Sequence, residues 1–206
     1  MDDAVVLLQV LLASPVVNLR AVADVIRNDV GLTIELLKSV CREDSGDQEI
    51  EIGIANNVIH AGVDKLKQLA GATKSVSSYM RERSELRKYE HFWGQARLTG
   101  LIAEELAYRV THVDPEEAYV AGSLCRIGEL PAILGTNWSG KNCTGSEIGW
   151  ILARTWGLPR LLQDIACGNK ARAAAESLPL LELVQVADRQ ARRIHGFVCD
   201  IAPRVF

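Results

Sequence analysis

Apolar residues recur every three or four positions along most of the chain, and this spacing constrains the fold more than any other feature. The first two series are Leu19, Val22, Val25 and Ile26, then Leu32, Leu36, Leu37 and Val40. A stripe of this kind lies on one face of an α-helix and is buried against another element. The alternating run Glu49–Ile52 has no visible partner strand, so we expect a loop that leads into a helix. The spacing therefore predicts an all-α protein.

Signals for the start of a helix stand between the apolar series. Asn18 and Asp29 are predicted N-caps, because their side chains can accept hydrogen bonds from the free amide groups of a first turn. The segment Asp114–Glu117 combines a capping acid, a proline and two acids that suit the positive end of the helix dipole. Thr144 and Glu147 match a capping box. Each signal predicts where a helix begins.

Longer apolar series in the second half predict two long helices, Phe92–Val110 and Pro179–Gly196, the second of which a glycine ends. The stretch Met80–His91 carries charges of both signs, which is typical of a solvated helix face and leaves a docking surface as the alternative. It is also the best boundary within a single domain that spans the whole chain. We predict a smaller N-terminal helical lobe, residues 1–85, and a larger helical lobe, residues 86–206.

Composition excludes several classes of protein. With 206 residues, of which 48% are hydrophobic and 24% charged, the chain can bury a core without disulfides. A net charge of −3 argues against a nucleic-acid partner. The longest apolar run, Ala4–Ala13, is far shorter than the roughly 20 residues of a membrane span. No basic signal-peptide start precedes this run, so we expect a cytoplasmic protein with no membrane partner.

Cysteines and histidines give no sign of a metal site. The five cysteines are Cys41, Cys125, Cys143, Cys167 and Cys199. An odd number without a Cys-x-x-Cys pair fits neither a zinc ribbon nor a secreted disulfide scaffold, so we expect reduced thiols. The four histidines, which are predicted to lie at the surface or to cap helices, are His60, His91, His112 and His195. Neither a Walker loop nor a Gly-x-Ser-x-Gly turn is present in the sequence.

Five segments follow one another in an order that is typical of one family. They are Ile26–Thr33, with Val30 at a usual proline, then Phe92–Ala96, Asp114–Leu130, Ser146–Gly149 with Trp156–Pro159, and Leu183–Arg189. Taken in the same order, the five segments are similar to five motifs. These are Ile-x-x-Asp-Pro-x-Leu-Thr, aromatic-Trp-x-His-Ser, DPEEAFLAGLLHDIGKL, AEVG followed by WGLP, and a closing helix with an Ala-Asp pair. In this order they resemble the HDOD family, the HD-related output domain of bacterial signalling proteins. The resemblance implies a compact HD-like bundle of many helices.

The resemblance also implies a degenerate metal pocket. The related HD phosphohydrolases bind a divalent metal through a His, a His-Asp pair and a late Asp, and the metal activates water for attack on phosphorus. In this chain Gln95 corresponds to the first His, and Cys125-Arg126 corresponds to the pair, so that only Asp188 remains at a ligand position. An amide is a weak ligand, and a guanidinium repels a cation. The resemblance therefore implies no metal, no cofactor and no catalytic residue.

Two hypotheses concern this pocket. In the first, Arg126 replaces the charge of the missing metal by pairing with Asp188, because a buried carboxylate without a cation is costly. In the second, Cys125, Cys143 and Cys167 form a rebuilt thiolate metal site with Asp188. The simpler alternative for the cysteines is that each is a small buried apolar residue.

The function that the resemblance implies is a non-catalytic signal-transduction output module that acts through protein–protein contacts. Members of the family are often fused to receiver or cyclic-dinucleotide domains, for which this chain has no room. A separate signalling protein is therefore expected as partner, and no oligomeric state is predicted. Two alternatives stay open. One is a divergent HD-type phosphohydrolase, and the other is a sensor that holds a small anion or a nucleotide beside Arg126.

Overall fold

Helices make up most of the part of the chain that the structure describes. The computed structural model describes residues 4–41, 52–73, 83–110, 112–135 and 143–201, and for 83–86 and 195–201 it describes the backbone alone. The helices are α1 (Ala4–Leu12), α2 (Leu19–Arg27), α3 (Val30–Cys41), α4 (Ile54–Ala72), α5 (Arg83–Ala107), α6 (Pro115–Leu124), α7 (Leu130–Ile133), α8 (Gly145–Thr155), α9 (Arg160–Cys167) and α10 (Leu178–Ile201). These ranges contain no strand, so the all-α prediction is confirmed.

The predicted helix starts are confirmed by their hydrogen bonds. The Asn18 side chain accepts from the amides of Arg20 and Ala21, both at 3.1 Å. Asp114 caps α6 through the amides of Glu116 and Glu117, at 2.9 and 3.0 Å. The Thr144 amide donates to the Glu147 carboxylate at 2.8 Å, and the Glu147 amide donates back to the Thr144 hydroxyl at 3.3 Å. The Asp29 carboxylate accepts from the Leu32 amide at 2.9 Å.

The bounds of both long helices differ from the predicted ones. Helix α5 begins at Arg83 instead of Phe92 and ends at Ala107, which leaves Val110 42% exposed instead of inward. Tyr89 is buried, so even the charged stretch carries an inward residue, while its neighbours 87, 88, 90 and 91 face solvent as predicted. Helix α10 continues past Gly196, because a glycine inside a helix costs only about 1 kcal/mol relative to alanine. Ile194 is exposed and not inward.

The first four helices share a core with the rest of the chain. One cluster of buried apolar residues includes Leu8 of α1, Leu66 of α4 and Ala187 of α10. Gly62 interrupts α4 with a φ of 71°. The predicted lobe boundary at residues 85/86 falls within α5, which runs through it without a break. Among the helices of the described residues, none is long and apolar enough to cross a membrane.

Helices α5 and α6 form the central pair, and glycines allow their backbones to approach closely. A Cβ added at Gly122 would lie 2.9 Å from the Gly100 Cα atom and 3.0 Å from the Thr99 carbonyl oxygen. A Cβ added at Gly100 would lie 2.8 Å from the Tyr119 carbonyl oxygen. At a second close approach, a Cβ at Gly128 would overlap the backbone of α8 at the Gly145 carbonyl. These contacts fix the helices that carry the predicted pocket.

A polar junction ties α2 to the central pair. The Arg27 guanidinium lies 3.9 Å from the centre of the Tyr119 ring and forms an ion pair with Glu104. The Tyr119 hydroxyl donates to the Arg27 carbonyl oxygen at 3.1 Å. Nearby, Glu116 of α6 accepts from the Ala55 amide at 2.7 Å and so caps α4. We call Arg27, Glu104 and Tyr119 the junction cluster.

Candidate functional site

Arg126 stands just after the end of α6 and forms a bidentate ion pair with Glu129. Its Nε and Nη2 atoms lie 2.8 and 2.6 Å from Oε1, and Nη2 lies 2.6 Å from Oε2. The Arg126 side chain is 17% exposed, so the pair is largely covered on the arginine side. The two residues are three positions apart, on the turn that leads into the Ile127–Glu129 3-10 helix. The hydrogen bonds of this guanidinium are therefore made within one local turn, to the Glu129 carboxylate.

Asp188 lies on α10 and pairs with a residue of its own helix. Arg192, one turn further on, donates from Nε at 2.8 Å to Oδ2. The predicted pair between Arg126 and Asp188 is wrong, because each side chain has a nearer partner on its own element. The other carboxylate oxygen, Oδ1 of Asp188, is buried and has no hydrogen-bond partner within the part of the chain that the structure describes.

The four predicted pocket residues are divided between two cavities. The smaller cavity has a volume of about 410 Å³ and is lined by Cys125, Arg126 and Asp188. The larger cavity has a volume of about 740 Å³ and is lined by Gln95 and Arg126. Arg126, Glu129 and Gly145 line both cavities, so the ion pair is a shared wall. The sequence reasoning placed these residues in one pocket, whereas Gln95 and Asp188 face different cavities.

The side chains around the shared wall do not fit a divalent metal. Burial, and then the charge of Asp188, raise the pKa of Cys125 to about 12, so that its thiol is protonated and is a poor ligand at neutral pH. Arg126 adds a fixed positive charge, and Asp188 is already neutralised by Arg192. Within the described ranges, no three His, Cys, Asp or Glu side chains come together in a way that could hold a metal ion. This set of side chains therefore supports no metal-dependent step.

The cysteines and histidines lie apart from one another. Cys125 lines the smaller cavity, Cys143 lines the larger one, and Cys167 is buried without lining either. The hypothetical thiolate site has no common location for these three thiols. His60, His91 and His112 are exposed, as predicted, and the side chain of His195 lies outside the described residues.

Sequence reasoning missed three charged residues of the site, Glu129, Arg189 and Arg192. The pairing of Glu129 with Arg126 and of Arg192 with Asp188 could have been predicted, since acids and bases three or four positions apart on a helix regularly pair. Arg189 is exposed at the smaller cavity and makes no ion pair with a carboxylate of the described residues. Only the packing of α10 against α9 and the Cys125–Glu129 turn brings it there, so no local pattern could have revealed it.

The comparisons with known proteins agree with this helical architecture. A sequence profile of the HDOD domain matches residues 1–138, which is more than half of the chain. The chain therefore belongs to the HDOD family. The matched range contains Gln95, Cys125 and Arg126, but it ends before α8, so the correspondence of Asp188 still depends on the resemblance of Leu183–Arg189. No curated protein was found to be similar in sequence.

Solved structures with the same fold come from a response regulator. The MmoQ response regulator of Methylococcus capsulatus strain Bath has a TM-score of 0.68 at 17% identity, with 92% of this chain and 84% of that chain covered. A second structure of MmoQ, of fragment 20–298, has a TM-score of 0.68 at 15% identity, with 97% and 89% covered. An HDOD domain protein of unknown function from Geobacter sulfurreducens has a TM-score of 0.42 at 21% identity, with 92% and 71% covered. At these identities the MmoQ likeness establishes the fold alone.

Proposed function

We propose that this protein is a non-catalytic signal-transduction output module that acts on a partner protein. The observation that carries the proposal is the Arg126–Glu129 pair, which lies between the cavity of Gln95 and the cavity of Asp188. The Arg126 guanidinium already places a positive charge there and is paired with the Glu129 carboxylate. This leaves no place for a divalent metal and the water that it would activate. Membership of the HDOD family and the shared fold with a response regulator support a role in signalling.

The first experiment tests the absence of catalysis. The purified chain is incubated with nucleotides and phosphodiesters in the presence of Mn²⁺ or Mg²⁺, and metal content is measured on the protein as purified. We expect no turnover and no stoichiometric metal. Turnover that Asp188→Ala abolishes would overturn the proposal in favour of a divergent phosphohydrolase.

A restored variant makes this experiment sharper. The triple substitution Gln95→His, Cys125→His and Arg126→Asp rebuilds the His and His-Asp pattern while Asp188 is kept. If loss of ligands is what prevents metal binding, the variant binds Mn²⁺ in calorimetry and the natural chain does not. Equal Mn²⁺ affinity in the two proteins would show that these positions are not the former ligands.

The second experiment tests the partner. The full chain is used as bait in extracts of its own cell, and each captured protein is then purified and titrated against the chain alone. We expect one signalling protein to bind saturably in this two-component titration. Failure of every captured protein to bind directly would contradict action through protein contacts.

A further inference from the structure

The larger cavity is lined by a side-chain amide, that of Gln95, which has no hydrogen-bond partner within the described ranges. Gln95 is only 7% exposed and lines this cavity. Its backbone carbonyl accepts from the Thr99 hydroxyl at 2.9 Å, but its side-chain amide makes no hydrogen bond with any described residue. A side chain with one donor end and one acceptor end is therefore available to a molecule in the cavity.

The other walls of this cavity indicate the chemistry of that molecule. Phe92, Ile133 and Ile148 supply apolar surface, which suits a flat ring. Arg87 and Lys88 are exposed at the same cavity and form no ion pair with a carboxylate of the described residues. The carboxylate that lines the cavity, Glu129, is occupied by Arg126. The cavity thus has net positive charge, although the chain as a whole carries −3.

Helix geometry separates the cationic end of the cavity from the amide. Arg87, His91 and Gln95 are four positions apart on α5 and all line the cavity, so they form one row along the helix. At about 1.5 Å per residue, Arg87 and Gln95 are about 12 Å apart along the axis. A ligand whose hydrogen-bonding end and anionic end are apart fits this spacing of the two backbones better than inorganic phosphate or a small carboxylate does.

We propose that the larger cavity binds a nucleoside phosphate. The base lies against Phe92 and exchanges hydrogen bonds with the Gln95 amide, and the phosphate lies at Arg87 and Lys88. The inference deepens the proposed function and rests on it in one respect, since the nucleotide is a signal that is bound without being hydrolysed. A cavity of about 740 Å³ is within the range of small-molecule sites.

The test is calorimetric titration of the full chain with AMP, GMP, CMP and UMP, together with ribose 5-phosphate and the four nucleosides. We expect saturable binding of at least one nucleotide, weaker binding of its nucleoside and of ribose 5-phosphate, and weakening by added salt. The variant Gln95→Leu should lose about tenfold in affinity and lose its preference among bases. Loss of base preference is a readout that a merely structural role of Gln95 would not produce.

Two substitutions at exposed arginines keep the test valid if Gln95→Leu folds poorly. Arg87→Gln should weaken binding of the nucleotide about tenfold, so that the nucleotide and its nucleoside bind about equally weakly. Arg97→Gln is the matched control, because Arg97 is exposed on the same helix but does not line the cavity, and it should bind like the natural chain. Equal affinity in Arg87→Gln and the natural chain would place the nucleotide elsewhere and overturn the inference.

The outcomes separate this inference from the proposed function. If no nucleotide produces heat or raises the melting temperature, the ligand inference is wrong, while direct binding of a partner protein would still uphold the proposed function. If a bound nucleotide is consumed in the presence of Mn²⁺, the proposed function is wrong even though the cavity is a nucleotide site.

Discussion

The junction cluster and the shared wall both pair arginine with glutamate, but over very different distances in sequence. Arg27 joins Glu104 and Tyr119, which are 77 and 92 positions away. Arg126 joins Glu129, three positions away, and Arg192 joins Asp188, four positions away. A long-range pair forms only when the fold is complete, whereas a local pair can form on one turn alone. The junction therefore contributes to global stability, and the local pairs mainly set the charge of the cavities.

The largest predicted effect is at the close approach that makes the junction possible. In Gly122→Ala the new methyl group meets the backbone at Gly100 and Thr99, which cannot yield as a side chain would. We expect a loss of about 3 kcal/mol in the free energy of unfolding, even though alanine is the better helix former. Chemical denaturation measures the change. Gly71→Ala is the control, because nothing lies within 4 Å of its added Cβ, and it should leave stability unchanged or slightly increased.

The next effect tests the junction cluster itself. Arg27→Ala removes the contact with the Tyr119 ring and leaves Glu104, which is only 17% exposed, without its cation. We expect a loss of about 2 kcal/mol, since breaking a partly covered pair leaves an uncompensated charge. Arg20→Ala, an exposed arginine on the same helix, is the matched control. If the two variants were equally stable in urea, the contrast between long-range and local pairs would not hold.

The next prediction concerns the pH dependence of stability that Cys125, a residue of the smaller cavity, confers. The pKa of Cys125 is raised from 9.0 to about 12 by burial and by Asp188, so its native thiol keeps a proton that the unfolded chain releases. Stability from this group is complete below pH 9 and is lost as the pH rises toward about 12. The unfolding free energy of Cys125→Ala should decrease less steeply over this range. Identical slopes for the two proteins would mean that the thiol is not buried in its neutral form.

The smallest predicted effect is at the shared wall. Arg126→Ala removes a pair whose glutamate is 40% exposed and therefore screened by solvent. We expect a change of less than about 1 kcal/mol in unfolding free energy, smaller than that of Arg27→Ala. Thermal unfolding of the two variants side by side makes the check. A larger loss in Arg126→Ala than in Arg27→Ala would reverse the comparison.

What the sequence predicted well is what a single turn determines. The caps at Asn18 and at Thr144 with Glu147 are confirmed because capping depends on residues two or three positions apart. The family was also predicted from short segments, and the HDOD profile match confirms it. Helix ends were less predictable, as Gly196 shows, because neighbouring packing outweighs the intrinsic preference of one residue.

The arrangement of the candidate pocket residues could not be predicted from the sequence. Gln95, Cys125, Arg126 and Asp188 were named, but their division between two cavities depends on how α5, α8 and α10 pack. The lone amide of Gln95 is likewise a property of its surroundings and not of its own segment. The predicted partner of Arg126 was wrong because Glu129, the acid three positions away, pairs with it instead of a residue from another helix.

The Arg126–Glu129 pair has a consequence for the two cavities, because it lines both of them. A molecule in one cavity that moves the Arg126 guanidinium toward itself also changes the wall of the other cavity. A ligand in one cavity that moved Arg126 would alter binding in the other, and the two affinities would then be thermodynamically linked.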